Sequence, residues 1–305
     1  MAIPAGLRTG LKLPVIAAPM FLISEPGLVT ACCRAGVIGT FPTLNARTTG
    51  ILDEWMTEIS QFCTSGDAPW GVNLIVHKSN ARLDDDLALV LKHKPPLVIT
   101  SVGHPGNIAE KVHAYGGVVF HDVIHMRHAA KAAEAGVDGI IAVCAGAGGH
   151  AGTLNPFAFI PQLKQTFDKT IILAGTISDG RSVRAAEVLG ADMAYLGTRF
   201  IASREARVAD GYKRMIEDDS SSDIVYTNKI SGIWGNFLNR SLHDAGVDPE
   251  TGKVTPPEGG AKTPWKEIWS AGQGIGTIDD SPPVADIIDR LKRDYSAARD
   301  ETVSF

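Results

Sequence analysis

Eight short apolar runs, each followed by a stretch of different composition, constrain this chain more than any other feature. The runs are Pro14 to Met20, Val37 to Pro42, Trp70 to Val76, Leu97 to Gly103, Gly117 to Val123, Gly139 to Cys144, Thr170 to Thr176 and Met193 to Phe200. Most are almost continuously apolar, the pattern of parallel strands covered on both faces. Between them, Pro26 to Ala35, Asp84 to Lys92, His125 to Ala135 and Arg181 to Leu189 have helical composition. A phrase recurs at the joins: Arg34-Ala35-Gly36-Val37, Glu134-Ala135-Gly136-Val137 and Val188-Leu189-Gly190-Ala191. Glycine after a last helical turn adopts the left-handed conformation that lets the chain reverse into a strand. Eight such units predict an α/β fold, a closed (β/α)8 TIM barrel. An open doubly wound sheet is the alternative, but it needs a topological switch that eight regular units do not suggest.

The regular pattern ends after Met215. Asp218 to Asp223 is polar and reads as a linker or a surface loop. The expected division is a barrel over residues 1–219 and a smaller cap beside the barrel mouth over 220–305. Trp234, Phe237 and Trp265 are the bulky cap residues expected to shape a pocket. A closing amphipathic helix is predicted after Ser281-Pro282, with Val284, Ile287, Ile288 and Leu291 on one face.

In such a barrel the active face lies at the carboxyl ends of the strands. Those ends carry Ala18-Pro19-Met20, Asn73, His121-Asp122, Ala174-Gly175-Thr176 and Gly197-Thr198. The sixth opens into Ala145 to Gly152, AGAGGHAG, with four glycines, three alanines and one titratable group, His150. Two readings suit this loop. One is a flexible turn with an incidental histidine. The other is a bare platform that backbone can bring close to a flat ligand, with an imidazole poised for proton transfer. The small and hydroxyl residues ending runs seven and eight precede predicted helix starts near Gly180 and Ser203, an arrangement suited to a phosphate.

No lysine stands at a strand end, which argues against a Schiff-base aldolase. The few carboxylates there argue against a glycosidase pair or a two-metal site. His121, His125 and His128 read as core or surface histidines before metal ligands. Cys32, Cys33, Cys63 and Cys144 form no zinc spacing, so reduced thiols are expected, and Cys144 reads as packed. The formal charge of -5 carries no basic stripe for nucleic acid. Neither a signal-peptide core nor a membrane-length apolar run is present, and the expected location is cytoplasmic. A phosphate anchor, a bare platform, an amide and one base suit flavin mononucleotide (FMN).

Taken together, Ala18-Pro19-Met20, Gly71-Val72-Asn73, Arg127-His128-Ala129, Gly136-Val137-Asp138, Gly149-His150-Ala151-Gly152, Ala174-Gly175 and Gly197-Thr198-Arg199-Phe200 resemble the nitronate monooxygenase (2-nitropropane dioxygenase) family. The resemblance covers most of residues 10–202. It implies an FMN-binding TIM barrel that uses O2 on a small-molecule substrate. It further implies that Ala18, Pro19, Met20 and Gly148 line the flavin ring and that Asn73 bonds its edge or ribityl chain. Ala174, Gly175, Thr176, Gly197 and Thr198 would hold the phosphate. His150 aligns with the base that takes the α-proton of a nitroalkane. Two positions depart from the family pattern. Asp122 stands where many members carry lysine, and Gly175-Thr176 replaces a glycine pair. A carboxylate at 122 is expected to oppose negative charge on a reduced flavin. That departure keeps open an NAD(P)H-dependent quinone or enoyl-thioester reductase. A phosphate-binding barrel without flavin is the third reading.

Overall fold

The computed structural model describes residues 3–255 and 266–301, so Trp265 lies outside the described residues. The strands are β1 Val15–Ala17, β2 Ile38–Pro42, β3 Trp70–Ile75, β4 Leu97–Ser101, β5 Val118–Val123, β6 Gly139–Val143, β7 Gly149–His150, β8 Thr170–Ala174, β9 Met193–Leu196, β10 Ile224–Thr227 and β11 Gly235–Leu238. Eight of them close in the order β1-β2-β3-β4-β5-β6-β8-β9, and β9 returns to pair with β1. Neighbours in this ring are parallel throughout. The predicted TIM barrel is therefore the fold, and each of the eight apolar runs contains one barrel strand. The remaining three strands form a separate antiparallel sheet, β10-β11-β7.

The helices are α1 Pro26–Ala35, α2 Thr49–Phe62, α3 Leu83–His93, α4 Ile108–His113, α5 Met126–Glu134, α6 Pro156–Thr166, α7 Gly180–Leu189, α8 Thr198–Ile201, α9 Asp210–Asp218, α10 Asn239–Asp244 and α11 Val284–Asp300. Local chemistry fixes several ends. Pro26 opens α1, and Gly36 and Gly190 end α1 and α7 in the left-handed region at φ 100° and 110°. Asn155 accepts from Phe157 N at the start of α6. The helix expected near Ser203 does not begin there. Its Oγ donates back to Phe200 O (2.7 Å) and closes the short turn α8, and the next helix starts only at Asp210. Helix α11 buries Val284, Ile287, Ile288 and Leu291, the face read from the sequence. It packs against α7 and α1. Gly180 permits the contact, because a Cβ there would lie 2.1 Å from Leu291 O.

Alternation along the strands sorts two cores. Val15, Ala17, Val98, Val119, Ile140, Leu173 and Leu196 face the helices. Ile16, Ile38, Leu97, Ile99, Phe120, Ile141, Ile172 and Met193 fill the barrel interior, with Ile3 and Leu7 among them. Phe120 reaches across that interior because residue 139 is glycine; a Cβ there would lie 2.5 Å from the ring. A fully buried ring of this size contributes roughly 2–3 kcal/mol by area removed from water.

Candidate active site

One step toward the carboxyl ends, the inward positions change character. Above the apolar layers the barrel presents Asn73, Ser101, Asp122, Val143, Ala174 and Tyr195 to a cavity of about 590 Å³. The strand-end loops supply its walls. The residues expected to hold the flavin, and the expected base, all line this one cavity: Ala18, Pro19, Met20, Asn73, Asp122, Gly148, His150, Ala174, Gly175, Thr176, Gly197 and Thr198.

Hydrogen bonds order the floor. Asn73 Nδ2 donates to Ser101 Oγ (2.6 Å) and to Ile99 O (3.3 Å). Ser101 Oγ donates to Asp122 Oδ2 (2.6 Å). Asp122 Oδ1 is buried without a hydrogen-bond partner. Burial raises the carboxyl to about 6, against the lowering effect of the Ser101 hydroxyl. Burial also pushes the Tyr195 phenol well above its ordinary range.

Backbone pairing builds the roof. The loop after β6 becomes the two-residue strand β7, with His150 opposite Gly235 and Gly149 opposite Asn236. Asn236 Nδ2 donates to Ala147 O (2.7 Å), and Tyr226 Oη donates to Ala151 O (2.9 Å). Gln273 N donates to Gly146 O (2.8 Å), and Gly272 N to Thr198 Oγ1 (2.9 Å). The glycines allow this stitching. A Cβ on Gly148 would lie 2.8 Å from Gly272 N, and one on Gly272 2.8 Å from Gly146 O. The AGAGGHAG loop is thus a pinned strip rather than a flexible turn. His150 Nε2 shares a hydrogen bond with Ser231 Oγ (3.3 Å). The imidazole faces the open cavity, yet the crowding walls desolvate it and lower its pKa. That desolvation favours the neutral, proton-accepting form of the ring.

The end formed by β8 and β9 is small and hydroxyl-rich: Gly175, Thr176, Ser178, Gly197, Thr198, Gly272 and Gly274. The amino end of α7 does not open onto it. Asp179 caps that helix, its Oδ1 accepting from Ser182 N (2.7 Å). The α7 dipole expected from the sequence to face this end is therefore met by the Asp179 carboxylate instead. Arg199 is buried against Ala202 O (2.7 Å) and Asp280 rather than facing the cavity.

The other candidates separate from the site. Cys144 is buried outside the cavity lining, and burial pushes its thiol up to about 12. His121 points to the opposite face of β5, bonded through Nδ1 to Thr100 Oγ1 (2.7 Å), and burial lowers it to about 4. His125 caps α5 and its ring lies tilted by 37° against that of His128, centroids 3.6 Å apart. Among the described residues no group of three His, Cys, Asp or Glu side chains is placed to hold a metal. Phe237 is fully buried, and Trp234 stacks on Tyr226 at 5.0 Å while its neighbour Ile233 lines the cavity. Sequence reasoning missed Ser101, Tyr195 and His77. Counting every second residue onward from Ile99 and Met193 would have found the first two, because strand side chains alternate.

The nitronate monooxygenase family profile matches residues 79–294. A nitronate monooxygenase of Paraburkholderia phytofirmans is 31% identical over 285 residues, covering 79% of this chain and 78% of the relative. A (3aS,4S,5R,7aS)-5-hydroxy-7a-methyl-1-oxo-octahydro-1H-indene-4-carboxyl-CoA dehydrogenase of Rhodococcus jostii is 28% identical, covering 76% of this chain and 64% of the relative. The solved structure of FabK from Thermotoga maritima superposes with a TM-score of 0.80 at 26% identity, covering 95% of this chain and 94% of that one. By the family match and the identity it shares with a curated member, this chain belongs to the nitronate monooxygenase family of enzymes.

Proposed function

We propose that the enzyme binds FMN in the barrel cavity and oxidises nitronates, and neutral nitroalkanes, with O2 to carbonyl compounds and nitrite. The observation that carries this reading is His150: a desolvated imidazole at the cavity edge, held over a glycine strip by pairing with β11. The cavity suits the cofactor in volume, in its largely apolar walls and in the unpartnered Asp122 Oδ1 on its floor. Ala18, Pro19, Met20 and Gly148 would flank the ring, with Asn73 and Asp122 at its edge. Ala174, Gly175, Thr176, Gly197 and Thr198 would hold the phosphate through backbone N–H groups and hydroxyls. When bound, FMN supplies the electron acceptor that passes electrons on to O2.

The protein's own part is positioning and proton transfer. His150 accepts the proton α to the nitro group, and Ser231 Oγ orients the ring that receives it. A preformed nitronate has already lost that proton and needs His150 only for binding. The apolar mouth, with Phe21, Val102 and Ile233 exposed, favours substrates with an alkyl portion. In this reading residues 220–305 form the cap and the closing helix.

A second reading keeps the flavin and changes the substrate to an acyl thioester. The similarity to a protein named a carboxyl-CoA dehydrogenase and to FabK favours it. Anaerobic titration of the FMN-loaded protein separates the two. The nitronate of 2-nitropropane is expected to bleach the flavin rapidly and NADH or NADPH slowly. Rapid bleaching by a nicotinamide, with none by nitronate, overturns the first reading in favour of the second.

A further inference from the structure

The floor of the cavity holds a carboxyl group whose hydrogen bonding is incomplete in one direction only. Asn73 is oriented by the Ile99 carbonyl, which its Nδ2 reaches at 3.3 Å, so its amide N–H is the group facing Ser101. Ser101 Oγ therefore accepts a hydrogen bond from Asn73 Nδ2 and donates its own to Asp122 Oδ2. A proton on Oδ2 would compete with the serine proton, so the only place for a proton on Asp122 is Oδ1. That atom is buried and has no partner. Among the described residues no lysine or arginine lines the cavity to balance a negative charge. Ser101 from β4 bonds Asp122 and Tyr195 from β9 lies within reach of its charge, while Asn73, Val143 and the titratable His77 and His150 share the cavity lining. His121, its neighbour on β5, is turned to Thr100 on the other face.

We propose that Asp122 takes up a proton when FMN enters the cavity and presents it from Oδ1 to a hydrogen-bond acceptor on the cofactor ring. This rests on the flavin reading above. Residue 122 is then a neutral donor in the loaded enzyme, neither the cation of lysine-bearing relatives nor a repelling anion. The incoming ring displaces solvent from the floor and offers an acceptor, and both effects favour the acid over the carboxylate. Burial alone already holds the group at about 6, so near neutral pH the proton must come from bulk water as FMN binds.

The test measures FMN binding by fluorescence quenching, and proton exchange by calorimetry in buffers of different ionisation enthalpy, for wild type and Asp122→Asn. The amide keeps an acceptor for Ser101 and a permanent donor at the Oδ1 position, while FMN phosphate and His150 are common to both proteins. The ratio of wild-type to variant Kd should be flat below about pH 6 and rise by up to about tenfold per pH unit above it. Wild type should take up close to one more proton per FMN than the variant at pH 7. Ser101→Ala removes the hydrogen bond that favours the carboxylate and should move the onset of the rise to higher pH. Equal pH slopes and equal proton uptake in wild type and Asp122→Asn overturn the proposal. If neither protein binds FMN, the flavin reading fails instead. The infrared carbonyl band of the ligand-free protein then decides about Asp122. A protonated-acid band that persists toward pH 6 and vanishes in the variant supports it, and an ordinary carboxylate titration overturns it.

Discussion

Asn73, Ser101 and Asp122 stand on three adjacent strands of a closed barrel, while His150 stands on a two-residue strand whose partner comes from a distant part of the chain. The floor inherits its rigidity from a ladder that every neighbour shares. The roof depends on a few cross-segment bonds: the β7–β11 pairing, Asn236 to Ala147, and Tyr226 to Ala151. Stability and cofactor binding should follow the floor. Proton transfer from a neutral substrate should follow the roof.

The sharpest division is expected from His150→Ala. With the base gone, kcat/KM for a neutral nitroalkane should fall by about 10²–10⁴-fold, while turnover of preformed nitronate changes only a few-fold; equal losses on both substrates would remove the base assignment. Phe120→Ala probes the other region. Its ring fills the space that Gly139 leaves in the interior, so urea unfolding should show a loss of about 3–5 kcal/mol. A small loss there would mean the interior collapses around the vacancy. Asn236→Ala strips the Ala147 carbonyl of its buried donor. It should cost about 1–3 kcal/mol and slow nitroalkane turnover more than it weakens FMN binding. A milder effect is expected from pH. Desolvation lowers the His150 pKa, so the neutral base persists below the ordinary imidazole value of about 6.5. On further acidification the ring is protonated, and kcat/KM for nitroalkane should fall by about tenfold per pH unit with nitronate turnover spared. Tyr226→Phe removes one bond to Ala151 O and should cost about 0.5–1.5 kcal/mol, read as a small drop in Tm.

These two regions were also unequally legible in the sequence. The barrel strands could be read because a strand buried on both faces must be apolar along its length, and the glycines at 36, 136 and 190 mark the returns. The cavity residues could be read because barrel strands end on one rim. Ser101 and Tyr195 escaped because neither residue type stands out until inward and outward positions are separated. The pairing of His150 with Gly235 had no local signal at all. It joins two short segments whose register is set by tertiary contact, and the glycines read as room for a ligand turn out also to be room for another backbone. The helix expected at Ser203 failed for a related reason: the serine hydroxyl bonds backward and ends a turn.

The seat of α11 between α7 and α1 has a consequence for how the protein is made. The first helix lays down its apolar flank early in translation, including Leu28, Val29 and Cys32. The residues that help cover the ring at this point, Val284 to Leu291, leave the ribosome only after nearly all of the chain before them has emerged. Until then the nascent chain carries an open seam of hydrophobic surface, the kind of exposure that recruits chaperones and invites aggregation.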